Sequence, residues 1–257
     1  MMQAMIFAAG LGTRLKPLTN TMPKALVRVG GEPLLKRVIS NLATAGVDRI
    51  VINVHHFAQQ IIDYIAHNNS FGLDIRISDE TEALLETGGG IKKAAPLFSS
   101  DAPILIHNVD ILSNVDLREF YNAALSPKGD ALPDAVLLVS HRTTKRYLLF
   151  DDNMRLVGWT NIETGEVKSP YPGINPHDYN MYAFAGIHVL SPRLVAAMSD
   201  MPDRFGIIDF YLQKCATHHI VGYAKSDLKL MDIGKADTLA HAEEFLQHLQ
   251  CEASATR

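Results

Sequence analysis

The stretch Ala4-Met-Ile-Phe-Ala-Ala-Gly10-Leu-Gly12-Thr-Arg14 decides the fold. Its apolar run from Ala4 to Ala8 is short, unbroken and stopped by Gly10 and Gly12, the pattern of a buried strand opening into a glycine-rich loop. That loop stands at the carboxyl end of its strand. Pro33 then opens a segment whose apolar residues Leu34, Leu35, Val38, Ile39, Leu42 and Ala45 recur at helical spacing, and Gly46 closes it. The alternation continues with a strand over Arg49 to Val54, a helix over Ala58 to Ala66 and a strand over Leu73 to Ile77. Further strands are expected at Pro103 to His107 and Ala135 to Ser140, on either side of a helix from about Leu117 to Leu125. Strand–helix alternation of this kind predicts an α/β fold with a Rossmann-like, mostly parallel sheet covered on both faces by helices.

From Arg146 onward the pattern changes. Tyr147 to Phe150, Leu156 to Trp159 and Tyr182 to Leu190 read as strands, joined by a Pro/Gly/Asn-rich stretch from Ser169 to Asn180. We read this part as a small mixed-sheet insertion whose long loop could serve as a substrate lid. Helices at Pro192 to Met198 and Ile207 to Ala216, a strand near His219 to Ala224 and a helix over Ala236 to Leu249 complete the chain. The expectation is one domain over residues 1–250, with halves at 1–145 and 146–250, and a frayed tail over 251–257. No repeat of 20–50 residues and no hexapeptide β-helix pattern is present.

The 257 residues suffice for a sizeable core, and 47% hydrophobic with 20% charged residues is the profile of an ordinary globular protein. A formal net charge of −4, with Lys and Arg scattered, argues against nucleic acid as a partner. No apolar run approaches the ~20 residues that span a bilayer, and Met1 to Ala9 lacks the basic start of a signal peptide, so a cytoplasmic protein without a membrane partner is expected. Cys215 and Cys251 are too few for a disulfide framework or a thiolate metal site and read as bystanders.

The loop Ala8-Ala9-Gly10-Leu11-Gly12-Thr13-Arg14 exposes backbone amides and follows them with a guanidinium, a combination that can cradle a polyphosphate. It is neither a Walker A loop, which ends in Gly-Lys-Ser/Thr, nor the dinucleotide fingerprint, because Leu15 stands where the third Gly belongs. Pro23 can fix the backbone that presents Lys24, a second cation for the same anion. Glu86-Thr87-Gly88-Gly89-Gly90-Ile91 supplies three glycines ahead of a short helix, where a flat group could approach the main chain. Ile104-Leu-Ile-His-Asn108-Val109-Asp110 places a carboxylate just beyond a buried strand, and Asp232 has the same setting in Leu230-Met-Asp-Ile-Gly234. Taken alone, each of these glycines, cations and carboxylates also fits a turn, a hinge, a cap or a solvated surface residue.

Together they are more specific. Ala8-Ala-Gly-Leu-Gly-Thr-Arg-Leu-Lys-Pro-Leu-Thr19 followed by Pro23-Lys-Ala-Leu26 resembles the signature of the sugar-1-phosphate nucleotidyltransferases, and Glu86 to Ile91 is closest to the N-acetylmuramate-1-phosphate uridylyltransferases. The resemblance implies a nucleotidyltransferase A-type fold and a reaction in which a nucleoside triphosphate and a sugar 1-phosphate yield a nucleotide sugar and pyrophosphate. It implies nucleotide contacts from Ala8, Ala9, Gly10, Gly12, Thr13, Arg14, Lys24, Thr87, Gly88, Gly89 and Asn108, and Mg²⁺ held by Asp110 and Asp232. Arg14, Lys24 and Asp110 are the implied catalytic residues. Gly186, in Phe184-Ala-Gly-Ile187, and Glu163 are the sugar-site candidates, although the family's Glu-Lys-Pro has no counterpart around Thr160 to Glu163. Val109 stands in place of a Gly, Leu230 of a Trp, and Lys235-Ala236 of Thr-Pro.

UTP with an N-acetylated hexose 1-phosphate is the expected substrate pair, in a monomer or homodimer. The alternatives are a GTP-dependent mannose- or heptose-1-phosphate guanylyltransferase, a non-catalytic nucleotide-sugar sensor on the same scaffold, a cytidylyltransferase acting on phosphocholine, and a dinucleotide-dependent oxidoreductase. The pairs His55-His56 and His218-His219 are expected on strands, pointing to opposite faces and unable to chelate jointly.

Overall fold

The computed structural model describes residues 1–127 and 131–255. In chain order the elements are β1 (Met2–Phe7), β2 (Arg28–Val29), β3 (Glu32–Pro33), α1 (Leu34–Ala45), β4 (Val47–Val54), α2 (Ala58–His67), β5 (Asp74–Asp79), α3 (Glu86–Ala94), β6 (Ile104–Asn108) and β7 (Ile111–Ser113). They continue with α4 (Leu117–Ala123), β8 (Ala135–Ser140), β9 (Arg146–Phe150), β10 (Leu156–Asn161), β11 (Glu166–Lys168), β12 (Asn180–Leu190), α5 (Pro192–Ala196), α6 (Ile207–Lys214), β13 (Ile220–Ala224), β14 (Leu230–Asp232) and α7 (Ala236–Ala255). The fold is α/β, with mixed parallel and antiparallel sheet and flanking helices. The chain packs as two compact units: Met1–Leu84, His107–Leu117 and Leu228 onward in one, Leu85–Ile106 and Arg118–Asp227 in the other.

In the first unit β4 lies between β1 and β5, parallel to both, with Met5 opposite Val51 and Ile50 opposite Ile75. Parallel neighbours need a crossover, and α1 and α2 provide it. The six residues that give α1 its apolar stripe are its six buried residues, and Gly46 ends the helix in the left-handed conformation at φ 90°. Ala4, Met5 and Ile6 are fully buried, as expected for a strand covered on both faces.

Two buried polar residues tie these strands to the glycine-rich loop. The Asn53 side-chain oxygen accepts the Ala8 N–H at 2.8 Å, and the Asn53 amide donates to the Glu80 carboxylate at 2.7 Å. Asn53 is 2% exposed and Glu80 fully buried, so neither group can turn to water in place of the bond they share. No sequence motif marks them.

The second unit is largely antiparallel. The long β12 pairs with β8 along one part and with β9 along another, and β9, β10 and β11 follow as a meander, while β13 joins β8 in parallel. Residues 169–179 form the expected long loop, held at its start by the Ser169 hydroxyl, which donates to the Val157 carbonyl at 2.6 Å. Three expectations are corrected. The glycines Gly88 to Gly90 lie inside α3 instead of ahead of it. Residues 251–255 continue α7 instead of fraying, while 256–257 lie outside the described residues. The histidine pairs lie just off β4 and β13, and among the described residues no cluster of three or more His, Cys, Asp or Glu could hold a metal.

His188, buried on β12 and hydrogen-bonded to the Tyr211 hydroxyl, has its pKa pushed down to about 3 by burial. An unfolded chain titrates near the ordinary 6.5. Between these values the unfolded state binds the extra proton, so stability falls as pH falls through that window, by up to about 1.4 kcal/mol per pH unit. We expect His188→Gln to remove that share of the slope. Urea unfolding at pH 7, 6 and 5 checks this: the difference between wild type and variant should shrink as the pH drops, and a constant difference would contradict it.

Candidate active site

The site in the first unit is assembled at the carboxyl end of β1. Ala8 and Ala9 are buried, Gly10 is exposed, and Gly12 turns the chain at φ 62°. A side chain at Gly12 would be strained by that φ and would also meet Thr19 Cγ2 at 2.9 Å. Thr19 closes the loop from below, its hydroxyl donating to the Gly12 carbonyl at 2.8 Å. Buried Leu15 anchors the short turn Thr13–Leu15, which leaves Arg14 exposed. Pro23, extended at φ −69°, feeds the turn Lys24–Leu26 and so aims the Lys24 side chain.

Asp110 arrives from the chain segment after β6. The Val109 N–H donates to the Phe7 carbonyl at 3.2 Å, which fastens this segment to the end of β1. Val109 is 4% exposed, so its side chain fills space that a glycine would leave open. Asp232 arrives from β14, which pairs antiparallel with β7 and sets Asp232 opposite Ile111. The Ile233 N–H donates to the Asp110 carbonyl at 2.8 Å. Two carboxylates 122 residues apart in the chain (232 − 110) therefore stand on neighbouring backbones.

The cations join them. The Lys24 ammonium is ion-paired to the Asp110 carboxylate, with side chains only 11% and 19% exposed. Around Gly234, a Cβ would lie 2.7 Å from the Asp232 Oδ1 and 2.8 Å from an Arg14 guanidinium nitrogen. Glycine at 234 is thus what lets Arg14 and Asp232 approach the same backbone. Asn108 ends β6 beside this cluster, half-buried, and its carbonyl accepts from His107 Nδ1 at 2.7 Å. His107 is buried, with its pKa pushed down to about 4, so the ring is neutral at pH 7 and is held as a structural donor.

Thr87, Gly88 and Gly89 belong to the second unit, in the first turn of α3. The Gly88 and Gly89 N–H groups donate to the Phe205 carbonyl at 2.9 and 3.2 Å, and the Thr87 hydroxyl accepts the Ile207 N–H at 2.9 Å. These donors are engaged by the protein itself, and Glu86 pairs with Arg204. Gly186 lies on β12 at φ 74°, where the β12–β8 register shifts between Phe184 and His188. That bulge accounts for the glycine. Glu163 sits in the turn between β10 and β11, exposed and paired with Lys145 at 2.5 Å.

A mixed α/β fold whose strand end gathers two aspartates, a lysine and an arginine around a glycine-rich turn defines a phosphate-handling class of protein. The nucleotidyl transferase family model matches residues 3–155, and the chain belongs to that family. It is 31% identical over 249 residues to an N-acetylmuramate alpha-1-phosphate uridylyltransferase of Caulobacter vibrioides, covering 95% of this chain and 96% of that protein. A protein with the same description from Neisseria meningitidis serogroup B is 41% identical over 125 residues, 49% of this chain and 54% of its own length. Among solved structures, HddC from Yersinia pseudotuberculosis complexed with GMP-PN shares the fold, with a TM-score of 0.74 at 22% identity over 96% of this chain and 100% of that one. No helix among the described residues is long and apolar enough to cross a membrane.

Proposed function

We propose that this enzyme transfers a uridylyl group from UTP to the phosphate of an N-acetylated hexose 1-phosphate and releases pyrophosphate. The observation that carries the reading is the cluster Lys24, Asp110, Asp232 and Arg14 around the Gly10–Gly12 turn, in a chain that resembles uridylyltransferases across nearly its whole length. On this reading the nucleotide is held by residues from the stretch 1–145, and the stretch 146–250 supplies the sugar contacts and Asp232.

A sugar phosphate oxygen is already anionic near neutral pH, so it can attack the α-phosphorus without a general base. One oxygen–phosphorus bond forms as the α–β bridging bond breaks, and pyrophosphate leaves with its electron pair. Positioning and charge neutralisation carry such a transfer. The backbone amides at Gly10 and Gly12, together with Thr13 and Arg14, cradle the triphosphate. Lys24, released from Asp110 as the nucleotide enters, meets the β- and γ-phosphates. Main-chain groups at Ala8, which Asn53 holds in place, and at Ala9 read the base, with Asn108 as a further contact.

The donor set fits magnesium. Two carboxylates with no third acidic, His or Cys ligand among the described residues suit a cation that takes one or two carboxylates and completes its shell with phosphate and water. Asp110 already accepts a cation, the Lys24 ammonium. When bound, Mg²⁺ neutralises charge on the phosphates and orients them. Dependence on a cellular nucleoside triphosphate supports a cytoplasmic location.

Four nucleoside triphosphates assayed against a panel of sugar 1-phosphates, with pyrophosphate release as the readout, test this reading. The expected result is the highest kcat/KM for UTP with an N-acetylated hexose 1-phosphate, lost with a chelator and restored by Mg²⁺. A higher kcat/KM for GTP would overturn the base assignment. No release from any pair would overturn the reaction and favour a sensor.

A further inference from the structure

In the second unit the starts of β8 and β13 and the end of β12 meet at Asp134. Its N–H donates to the His219 carbonyl at 2.7 Å, and its carbonyl accepts the Ser191 N–H at 2.8 Å. Its side chain is buried, and both carboxylate oxygens are committed. Oδ2 accepts the His219 N–H at 2.9 Å, while Oδ1 faces the Ser191 hydroxyl at 3.5 Å and an Arg193 guanidinium nitrogen at 3.7 Å. Around this junction lies a cavity of about 600 Å³, lined by Asp134, Arg155, Arg193, Thr217, His218 and His219 among others, all in the second unit. That is the size of a small-molecule site.

The charges here do not cancel. Asp134 is the one carboxylate among the described residues that line the cavity, and it is engaged in holding the strand ends together. The Arg193 side chain, at the start of α5, is 71% exposed and meets that carboxylate only at a long 3.7 Å, so most of its fork is unused. Arg155 is fixed through its backbone, whose N–H donates to the Asp151 carboxylate at 2.8 Å and which bridges to Val221. Its exposed guanidinium makes no hydrogen bond or ion pair with the described residues. His219 Nδ1 is buried without a hydrogen-bond partner. A hydrogen there would have no acceptor, so the neutral ring carries it on Nε2 and keeps Nε2–H as its donor. Two guanidinium forks and an imidazole N–H thus border one cavity, in a chain whose formal net charge is −4.

We propose that this cavity is a second anion site, which binds a phosphorylated small molecule through its phosphate monoester. Arg155 and Arg193 grip the phosphate, and His219 donates a further hydrogen bond. A carboxylate offers two oxygens and satisfies one fork; two forks call for the larger, doubly charged group with three terminal oxygens. The remaining volume takes the organic part of the ligand. Arg14, Lys24, Asp110 and Asp232 all belong to the first unit, so no residue is shared with the nucleotide turn. Binding here is therefore independent of the transfer reaction.

Full-length protein carrying Arg14→Gln and Lys24→Gln, in which the nucleotide turn has lost its cations, is titrated calorimetrically with glucose 6-phosphate and with glucose. Saturable binding of the phosphate ester is expected, with inorganic phosphate competing and glucose silent. Adding Arg155→Gln or Arg193→Gln should weaken glucose 6-phosphate about ten-fold or more, the scale of a charged hydrogen bond, and Arg155→Lys should keep part of the affinity. Both arginines are exposed, so these variants should melt within a few degrees of their parent. Absence of binding, binding that survives both glutamine substitutions, or equal binding of glucose would overturn the proposal. In the otherwise wild-type protein Arg155→Gln should leave pyrophosphate release unchanged, and its loss would assign the cavity to the transfer reaction and overturn a separate site. Failure of the transfer reaction in the wild type would leave the titrations standing.

Discussion

Asp110→Asn is expected to lower kcat by a factor on the order of 10²–10³ while the protein stays folded. The substitution keeps the size of the side chain and its hydrogen-bonding capacity but removes the charge on which Lys24 rests and one of the two carboxylates that would hold Mg²⁺. The Lys24 ammonium, on a side chain 11% exposed, loses a charged partner but keeps the substituted side chain's amide oxygen as an acceptor, which limits the cost to the fold. Its backbone contact, the Ile233 N–H to the Asp110 carbonyl, is untouched by the change. Pyrophosphate release measured beside a thermal melt separates the two effects. Activity above a tenth of wild type would remove Asp110 from the catalytic role, and a melt lowered by many degrees would show a structural role in its place.

Gly89→Ala is expected to destabilise the protein by about 3 kcal/mol, which for a chain of this size lowers Tm by roughly 6–12 °C. A methyl group there would lie 2.1 Å from the Asp203 carbonyl oxygen, and at Gly88 2.2 Å from the Phe205 ring. At Gly89 the obstacle is main chain, so relief requires moving segment 203–207 away from α3. That movement breaks a set of contacts at once: the Phe205 carbonyl's bonds from Gly88 and Gly89, the Ile207 bond to Thr87, and the Lys92 ammonium's bond to the Met201 carbonyl at 2.5 Å. Gly10→Ala is the control, since a Cβ there meets nothing within 4 Å, and its Tm should stay within a few degrees of wild type. Equal shifts for both variants would contradict the packing account.

The α3 glycines show where reading the chain in one dimension stops. Three consecutive glycines have poor helix propensity and look like a hinge. They form a helix because another segment approaches so closely that only glycine leaves room, and local residue order carries no trace of that segment. The same holds for β7 and β14, three residues each. Neither shows a usable period, and each exists because the other supplies its hydrogen bonds. Asn53 and Glu80 escaped notice for a related reason: a polar residue within or after an apolar strand gives no sign of the amide it will hold. The cavity at Asp134 needed the ends of β8, β12 and β13 placed together before Arg155, Arg193 and His219 could share it.

What the sequence determined by itself was whatever depends on neighbours along the chain. The buried strand before Gly10, the apolar stripe of α1 and its glycine stop follow from local periodicity and backbone stereochemistry. The signature from Ala8 to Leu26 was legible for the same reason, because a phosphate-binding turn is built from adjacent residues. Tertiary structure alone decided what depends on distant backbones meeting. It set Asp232 beside Asp110, laid the Lys24 ammonium on the Asp110 carboxylate and brought Arg14 to Gly234. Those meetings rest on hydrogen bonds and packing between residues 86 or more positions apart, and no spacing within the chain encodes them.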